Sequence, residues 1–205
     1  MARLKPLDAW GVNNEVLSVE LFQRFLRVTQ GLQAPRDGLE STAKYRPLLA
    51  YFVLGGLQGL RTCEMVRERF DYPVIEWRDF LWNKELLVVR DEVAKQTRAR
   101  DKLRYVPLEA ASVQLLRPLA GDGRVIRLAR RIFQSLRREL CKEMRVRLPE
   151  NCLRNSYATY ALTFRSSGDV ARAMGDAEGT VKRYYVQTLE PGVGKKWFNL
   201  PADIE

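Results

Sequence analysis

The sequence predicts one mainly α-helical domain that carries a small antiparallel sheet of three strands. Two observations predict this class. Apolar residues recur with helical spacing before residue 62 and again after residue 109, and three β-rich pieces lie between these regions. The chain also shows no internal repeat, no low-complexity segment and no linker that would divide it. The order of helices, sheet and helices favours a single domain with a minor sheet.

The first helices are predicted from their caps and their apolar spacing. The first covers residues 18–30, with Ser18 as its N-cap. A second, strongly apolar helix begins at Ser41 or Thr42 and ends on a glycine. A short third helix covers residues 62–70, with Thr62 as its N-cap.

The β-rich pieces lie around residues 74–82, 86–93 and 103–108. The polar segment AKQTRARDK separates the second piece from the third, so these two are predicted to form an antiparallel hairpin. The pattern is helical again from residue 109 onward. A long basic helix is predicted near residues 125–146, and two or three further helices follow it, up to about residue 188.

The composition excludes several kinds of chemistry. The 205 residues include no histidine, so the chain cannot supply a Ser–His or Cys–His nucleophile pair. Three cysteines (Cys63, Cys141 and Cys152) fall short of the four ligands that a structural zinc usually takes. Their odd number and scattered positions favour a reducing cytoplasm over a disulfide framework. No apolar run reaches about 18 residues, so no membrane span is expected.

The positive charge is concentrated in two places. The formal charge is +10, from 35 Lys and Arg against 25 Asp and Glu, and the segment from Arg117 to Arg147 holds ten basic residues against three acidic ones. A second basic cluster lies in the predicted hairpin and consists of Lys95, Arg98, Arg100, Lys102 and Arg104. One such run is equally typical of a solvated helix face, but two favour a nucleic-acid surface. The candidate DNA contacts are Arg98, Arg100, Lys102, Arg130, Arg131, Arg137 and Arg138.

Four short motifs occur in a fixed order. They are GLRTCEM with Arg61 and Glu64, AKQTR with Lys95, NCLRNSYATY with Arg154, and MGDAEGTVKRYYV with Tyr185. Each is weak alone, but the set in this order resembles the catalytic domain of the tyrosine recombinase (phage integrase) family over roughly residues 15–190. The resemblance implies a DNA-associated protein that cleaves and rejoins duplex DNA through a 3′-phosphotyrosyl intermediate.

The residue types suit that chemistry. Two guanidiniums, those of Arg61 and Arg154, can stabilise the charge that develops on a phosphodiester under attack. A tyrosine hydroxyl can form a covalent bond to phosphorus, and Lys95 can give a proton to the departing oxygen. The family spacing assigns the nucleophile to Tyr185, with Tyr184 as the alternative. Because the covalent bond conserves the phosphodiester energy, we expect no metal and no other cofactor.

Other residues at the site have two interpretations each. In the family, the residue at Glu64 supports the arginine, although Arg61 and Glu64 at this spacing could equally be an ordinary surface ion pair. Lys95 could be one more solvated lysine. Tyr157 and Tyr160 are expected to be core residues.

The sequence departs from the family where histidines are expected. Asn151 and Asn155 flank Arg154, and Asp176 follows Gly175. Asparagine cannot act as a base, and a carboxylate repels a phosphate unless an arginine neutralises it. Two hypotheses follow: a slow recombinase, or an inactive DNA-binding protein with the same fold. A relaxing enzyme of the type IB topoisomerase kind is a third, weaker alternative.

The resemblance also divides the chain and suggests partners. Residues 1–14 form an N-terminal extension, residues 15–190 the catalytic domain and residues 191–205 a C-terminal tail. Only some fifteen residues precede the first helix, too few for the N-terminal DNA clamp of the family, so either the protein is a natural minimal form or a partner protein supplies the clamp. Trp197 and Phe198 in the tail could pack on this chain or on a neighbour, and a homotetramer is expected on DNA.

Overall fold

The computed structural model describes residues 16–32, 42–94, 103–185, 189 and 192–199, and it confirms the predicted fold class. In these segments the helices are α1 (Val19–Gln30), α2 (Leu49–Gln58), α3 (Thr62–Met65), α4 (Ala110–Leu116), α5 (Arg130–Glu143), α6 (Cys152–Ala161), α7 (Ser167–Met174), α8 (Glu178–Tyr184) and α9 (Val193–Phe198). The strands are β1 (Phe80–Leu81), β2 (Leu86–Arg90) and β3 (Leu103–Pro107). They form one antiparallel sheet in the order β1-β2-β3.

Helix α2 is the centre of the core. All ten of its residues are buried, and α1, α4 and α6 pack around it. A helix that is apolar on every side is stable only inside the protein, so its sequence requires this position. The predicted glycine end is confirmed at Gly59, which has a φ of 67° in the left-handed region. Gly59 directs its carbonyl towards the guanidinium of Arg154, which donates a hydrogen bond to it.

The sheet places one arginine on its inner face. In the β2–β3 hairpin, Val89 lies opposite Arg104 and Leu87 lies opposite Val106. Leu87, Val89 and Val106 are buried in the core, and Arg104 shares their side of the sheet because side chains alternate along a strand. The hairpin stem is therefore confirmed, while its link, which contains Lys95, lies outside the described residues.

The first predicted helix is confirmed, and the next two are corrected. The Ser18 hydroxyl caps α1 by accepting a hydrogen bond from the backbone N–H of Leu21. The second helix is two elements, a 3₁₀ helix over Thr42–Leu48 and then α2, because Pro47 lacks the N–H of an α-helix. Ser41 lies outside the described residues.

The third predicted helix is a single turn, and its N-cap is Arg61 rather than Thr62. The Glu64 carboxylate accepts a hydrogen bond from the Arg61 backbone N–H at 2.8 Å, which completes the start of the helix. The backbone carbonyl of Glu64 accepts a bond from the N–H of Ile75 at 2.9 Å, so the chain leaves the helix after Met65.

The basic helix predicted over 125–146 is also shorter. Helix α5 begins at Arg130, and the segment before it contains a short 3₁₀ helix over Arg117–Leu119 and an isolated bridge between Glu76 and Arg124. The residues at the predicted start bond to the segment before β1 instead: the Val125 N–H donates to the Ile75 carbonyl at 3.3 Å, and the Trp77 N–H donates to the Gly123 carbonyl at 2.9 Å. Two or three helices are predicted between α5 and residue 188, and the structure has three in the described part of this region, α6, α7 and α8.

The C-terminal tail packs on its own chain. Trp197 on α9 is fully buried, and its ring is stacked between those of Phe22, at a centroid distance of 4.1 Å, and Tyr160, at 4.4 Å. Its indole N–H donates to the Gly56 carbonyl at 2.8 Å. Phe198 contacts the ring of Tyr157 edge-on at 5.7 Å. The two tail aromatics therefore close the core beside α2 and α6, and are not exposed for a neighbour.

In the part of the chain that the structure describes, none of the helices combines the length and the apolar character that crossing a membrane requires.

Replacing Trp197 with alanine should destabilise the protein by about 3–5 kcal/mol, because it removes two stacking contacts and leaves a large cavity. Urea denaturation followed by circular dichroism measures this loss. Ile132→Ala is the matched control, since Ile132 is 53% exposed on α5 and its removal should change the free energy of unfolding by less than about 0.5 kcal/mol. Equal effects of the two variants would contradict the packing described.

Candidate active site

An open cleft of about 1000 Å³ is formed where the start of α3, the start of α6, helix α5 and the α7–α8 junction meet. Arginine and carboxylate side chains dominate its walls. They are Arg61, Arg67, Arg130, Arg137 and Arg154, and Glu92, Glu150 and Asp176. Tyr185 and Asn151 line the same cleft. Six of the seven predicted catalytic residues are described, and all of these except the buried Glu64 line the cleft.

Arg61 is held in place by the ends of two elements. Its guanidinium donates to the Glu64 carboxylate at 3.4 Å, to the carbonyl of Met174 at 3.4 Å and to that of Gly175 at 3.2 Å. It also donates to the Asp176 carboxylate. Since these acceptors lie on both α3 and the end of α7, the guanidinium joins the two elements across the cleft.

The Glu64 carboxylate lies completely out of solvent. One of its oxygens accepts from the backbone N–H of Arg61 at 2.8 Å and from the Arg104 guanidinium at 2.9 Å, and the other faces the Arg61 guanidinium. A buried carboxylate with this many donors is stable only while they remain. The surface ion-pair interpretation of Arg61 and Glu64 is therefore wrong. Glu64 holds both the backbone and the guanidinium of Arg61 from the protein interior.

Arg154 enters the cleft from α6, whose third residue it is. Its guanidinium donates to the carbonyl of Gly59 on one side and to Asp176 at 2.7 Å on the other. Burial, together with the positive charge of Arg61, lowers the pKa of Arg154 below its ordinary value. A guanidinium remains charged even then, so two cations lie side by side in a poorly hydrated site.

Asp176 joins these two cations. One carboxylate oxygen accepts from the guanidinium of Arg61 and the other accepts from that of Arg154. The residue follows Gly175, whose φ of 67° ends α7 with the left-handed geometry that favours glycine. A carboxylate at this position is expected to repel a phosphate unless an arginine neutralises it, and here both arginines form ion pairs with Asp176.

Arg104 was predicted only as part of a basic turn, and it belongs to the site. Its guanidinium donates to Glu64 at 2.9 Å and to the carbonyl of Met174 at 3.0 Å. The signal that could have found it is the alternation along LRYVPL, which places Arg104 on the same face as the apolar Val106 and Leu108. An arginine on the inner face of a strand requires a buried partner, and here that partner is Glu64.

The two adjacent tyrosines point in different directions. Tyr185 follows the last residue of α8, is half-buried and lines the cleft together with Arg61 and Arg154. Tyr184 is 65% exposed, and the Arg183 guanidinium lies over its ring at 5.3 Å from the centroid. Tyr185 is therefore the tyrosine of this pair that shares a cleft with the two arginines. Tyr157 and Tyr160 are buried in the core, as predicted.

Asn151 marks the start of α6 with a φ of 62°, and it lines the cleft beside Asn155. Lys95 lies outside the described residues, but the base of its hairpin is anchored. The guanidinium of Arg67 donates to the carbonyls of Val93 at 2.7 Å and Ala94 at 3.5 Å. Arg67 and Ala94 both line the cleft, so the described end of the segment after β2, from which the link with Lys95 continues, lies next to the candidate site.

The predicted DNA contacts on α5 divide into two kinds. Arg131 and Arg138 are exposed, whereas Arg130 and Arg137 line the cleft. Arg130 forms an ion pair with Glu68 at 3.0 Å. Arg137 donates to the carbonyls of Leu148 and Pro149, so it also holds the segment that precedes α6. Arg98, Arg100 and Lys102 lie outside the described residues.

Comparison with known proteins gives a structural match only. No protein-family model matches the chain, and no curated protein matches it. Among solved structures, the crystal structure of XerA recombinase is similar, with a TM-score of 0.57 and 15% sequence identity over 90% of this chain. The chain has a recombinase-like fold. It spans 64% of the length of the XerA recombinase chain, and at this identity the likeness establishes the recombinase-like fold and not an activity.

Within the recombinase-like fold, replacing Glu64 with glutamine should destabilise the protein by about 3 kcal/mol. The amide cannot neutralise Arg61 and Arg104, so Arg104 loses the carboxylate it pairs with and Arg61 is left with that of Asp176. Urea denaturation of the two forms measures the difference. Glu68→Gln is the control, because Glu68 is 75% exposed and its ion pair with Arg130 should contribute less than about 1 kcal/mol. A cost for Glu64→Gln no larger than that of the control would show that the buried network does not organise this site.

Proposed function

We propose that this chain cleaves and rejoins duplex DNA, with Tyr185 as the nucleophile and Arg61 and Arg154 as the phosphate clamp. The observation that carries the proposal is the meeting of two guanidiniums on a single carboxylate, inside a cleft that Tyr185 also lines. Arg61 comes from α3 and Arg154 from α6, so only the tertiary fold brings them together. Two cations directed at one point are what an oxyanion with two free oxygens requires.

The reaction is a transfer of the phosphoryl group between two oxygens. The Tyr185 oxygen attacks phosphorus and loses its proton to water, and the bond from phosphorus to the 5′ oxygen of the next nucleotide breaks. That oxygen takes a proton, for which Lys95 is the proposed donor, and a 3′-phosphotyrosyl ester forms. Attack by a 5′ hydroxyl reverses these steps and restores a DNA strand. The two guanidiniums stabilise the additional negative charge of the transition state.

The basic surface provides the DNA contacts in this proposal. Arg131 and Arg138 are exposed on α5, and Arg130 on the same helix lines the cleft. Contacts from these side chains to phosphates would position a duplex over the cleft without reading its sequence. The basic link between β2 and β3 is proposed as a second contact. Assembly as a tetramer on DNA, and a partner that supplies the N-terminal clamp, remain predictions from the family resemblance.

A second candidate is a DNA-binding protein of the same fold that does not cut. The observation that favours it is the Asp176 carboxylate, which already occupies both arginines. The asparagines at 151 and 155 add to this, because an amide cannot transfer a proton as a histidine does. Such a protein would use α5 and the hairpin to bind DNA, and the arginine pair would serve only the stability of the fold.

Covalent trapping distinguishes the two candidates. The substrate is a pool of labelled duplexes with one nick and random sequence around it, so that a cleaved short fragment diffuses away and the protein stays attached. The wild type should give a DNA–protein adduct that survives denaturing electrophoresis. Tyr185→Phe should reduce the adduct to background because it lacks the nucleophilic oxygen. Tyr184→Phe is the matched control and should retain the adduct, since Tyr184 is exposed and points away.

The opposite results are equally specific. An adduct that Tyr184→Phe removes and Tyr185→Phe retains would reassign the nucleophile. Absence of any adduct, together with DNA binding that is strongly salt-dependent and unchanged in Tyr185→Phe, would favour the non-cutting protein. Relaxation of a supercoiled plasmid without dependence on a site would favour an enzyme that relaxes DNA without joining sites.

A further inference from the structure

We propose that the Asp176 carboxylate is an internal ligand of the anion site between Arg61 and Arg154, and that a DNA phosphate binds there only by displacing it. The inference rests on the proposed function in one respect, that a phosphate is the ligand of this site. It adds a built-in competitor that sets how strongly the site binds any oxyanion.

The Asp176 carboxylate occupies the position between the two guanidiniums in which a bound phosphate would lie. Each of its two oxygens accepts from a different guanidinium, at 2.7 Å in the case of Arg154. Two non-bridging oxygens of a phosphate would be held by two guanidiniums in the same manner. The Asp176 side chain is only 15% exposed, and so a phosphate cannot approach both arginines while the carboxylate stays between them.

The charges at the site support competition. Arg61, Arg104 and Arg154 carry three positive charges, and Glu64 and Asp176 carry two negative ones. A phosphodiester that binds beside an undisplaced Asp176 would face a carboxylate a few ångströms away. At that distance two like charges repel strongly in a partly buried site. Movement of Asp176 away from the arginines would instead leave a cluster with two net positive charges for the anion.

The arginines do not depend on Asp176 for their positions. Arg61 is also held by Glu64 and by the carbonyls of Met174 and Gly175. Arg154 is also held by the carbonyl of Gly59. The two arginines therefore keep their positions when the carboxylate leaves. An incoming phosphate then supplies the negative charge that Asp176 provided to Arg154.

The backbone at this junction is fixed, and so the exchange needs only a side-chain rotation. The N–H of Asp176 donates to the carbonyl of Ala171 at 3.0 Å, and the N–H of Gly175 donates to that of Arg172 at 3.3 Å. These two bonds close the end of α7 and hold Asp176 at the wall of the cleft. Rotation about its side-chain bonds would turn the carboxylate into the open space that Asp176 lines.

The test is the affinity of the full chain for inorganic phosphate, measured by isothermal titration calorimetry at constant ionic strength. Asp176→Ala should bind phosphate at least about tenfold more tightly than the wild type, because the competitor and its charge are gone. Asp169→Asn is the matched control: it removes one negative charge from α7, the helix that Asp176 follows, but Asp169 is 56% exposed and its ion pair is with Arg172. Its affinity should stay within about twofold of the wild type.

Further variants keep the result specific. The gain in phosphate affinity of Asp176→Ala should disappear when Arg61→Gln is added, because binding of the phosphate requires both guanidiniums. Asp176→Asn keeps one oxygen for an arginine but loses the charge, and it should give an intermediate gain. It replaces the alanine variant if circular dichroism shows that the latter is unfolded. Unchanged phosphate affinity in the folded Asp176 variants, or an equal gain in Asp169→Asn, would overturn the inference.

The trapping experiment separates this inference from the proposed function. Tighter phosphate binding in Asp176→Ala without any phosphotyrosyl adduct, in that variant or in the wild type, would refute strand cleavage and leave the internal ligand standing. An adduct in the wild type together with unchanged phosphate affinity in Asp176→Ala would refute the internal ligand alone.

Discussion

The candidate site depends on one buried charge, the carboxylate of Glu64. A carboxylate without access to water must have donors on all sides, and here they are the backbone N–H of Arg61 and the guanidiniums of Arg61 and Arg104. These donors come from the start of α3 and from β3, and both guanidiniums continue to the carbonyl of Met174 at the end of α7. The burial of Glu64 therefore fixes three elements relative to one another and directs Arg61 into the cleft.

The second half of the site is organised by helix ends. Arg154 starts in α6 and reaches the carbonyl that Gly59 exposes at the end of α2, while Asp176 follows the end of α7. Backbone groups at helix ends lack partners within their own helix, so they are available for such contacts. The arrangement places two cations at one point with a single carboxylate between them. The contacts that stabilise the fold therefore also form the candidate site, and Asp176 neutralises part of its positive charge.

Much of the fold followed from the sequence because its signals are local. Ser18 caps α1, a glycine ends α2, and the alternating residues of LLVVR and LRYVP form the hairpin. Helix boundaries that differ from the prediction are set by side-chain contacts. The N-cap of α3 is Arg61, for example, because the Glu64 carboxylate accepts a hydrogen bond from its backbone N–H. Arg154 and Tyr185 could be selected from their motifs, and strand alternation places Arg104 on the inner face. The pairing of Arg104 with Glu64 and the double pairing of Asp176 are tertiary contacts that no local pattern contains.

The central claim is that Arg61 and Arg154 form one oxyanion site. The most direct test is a crystal structure of the Asp176→Ala chain in the presence of sodium tungstate, with the anomalous signal used to locate the metal oxyanion. The account predicts a tungstate between the two guanidiniums, each of which donates to a different oxygen, with Glu64 still bound to Arg61 and Arg104. Tungstate found only elsewhere on the basic surface, or guanidiniums that have separated, would contradict it.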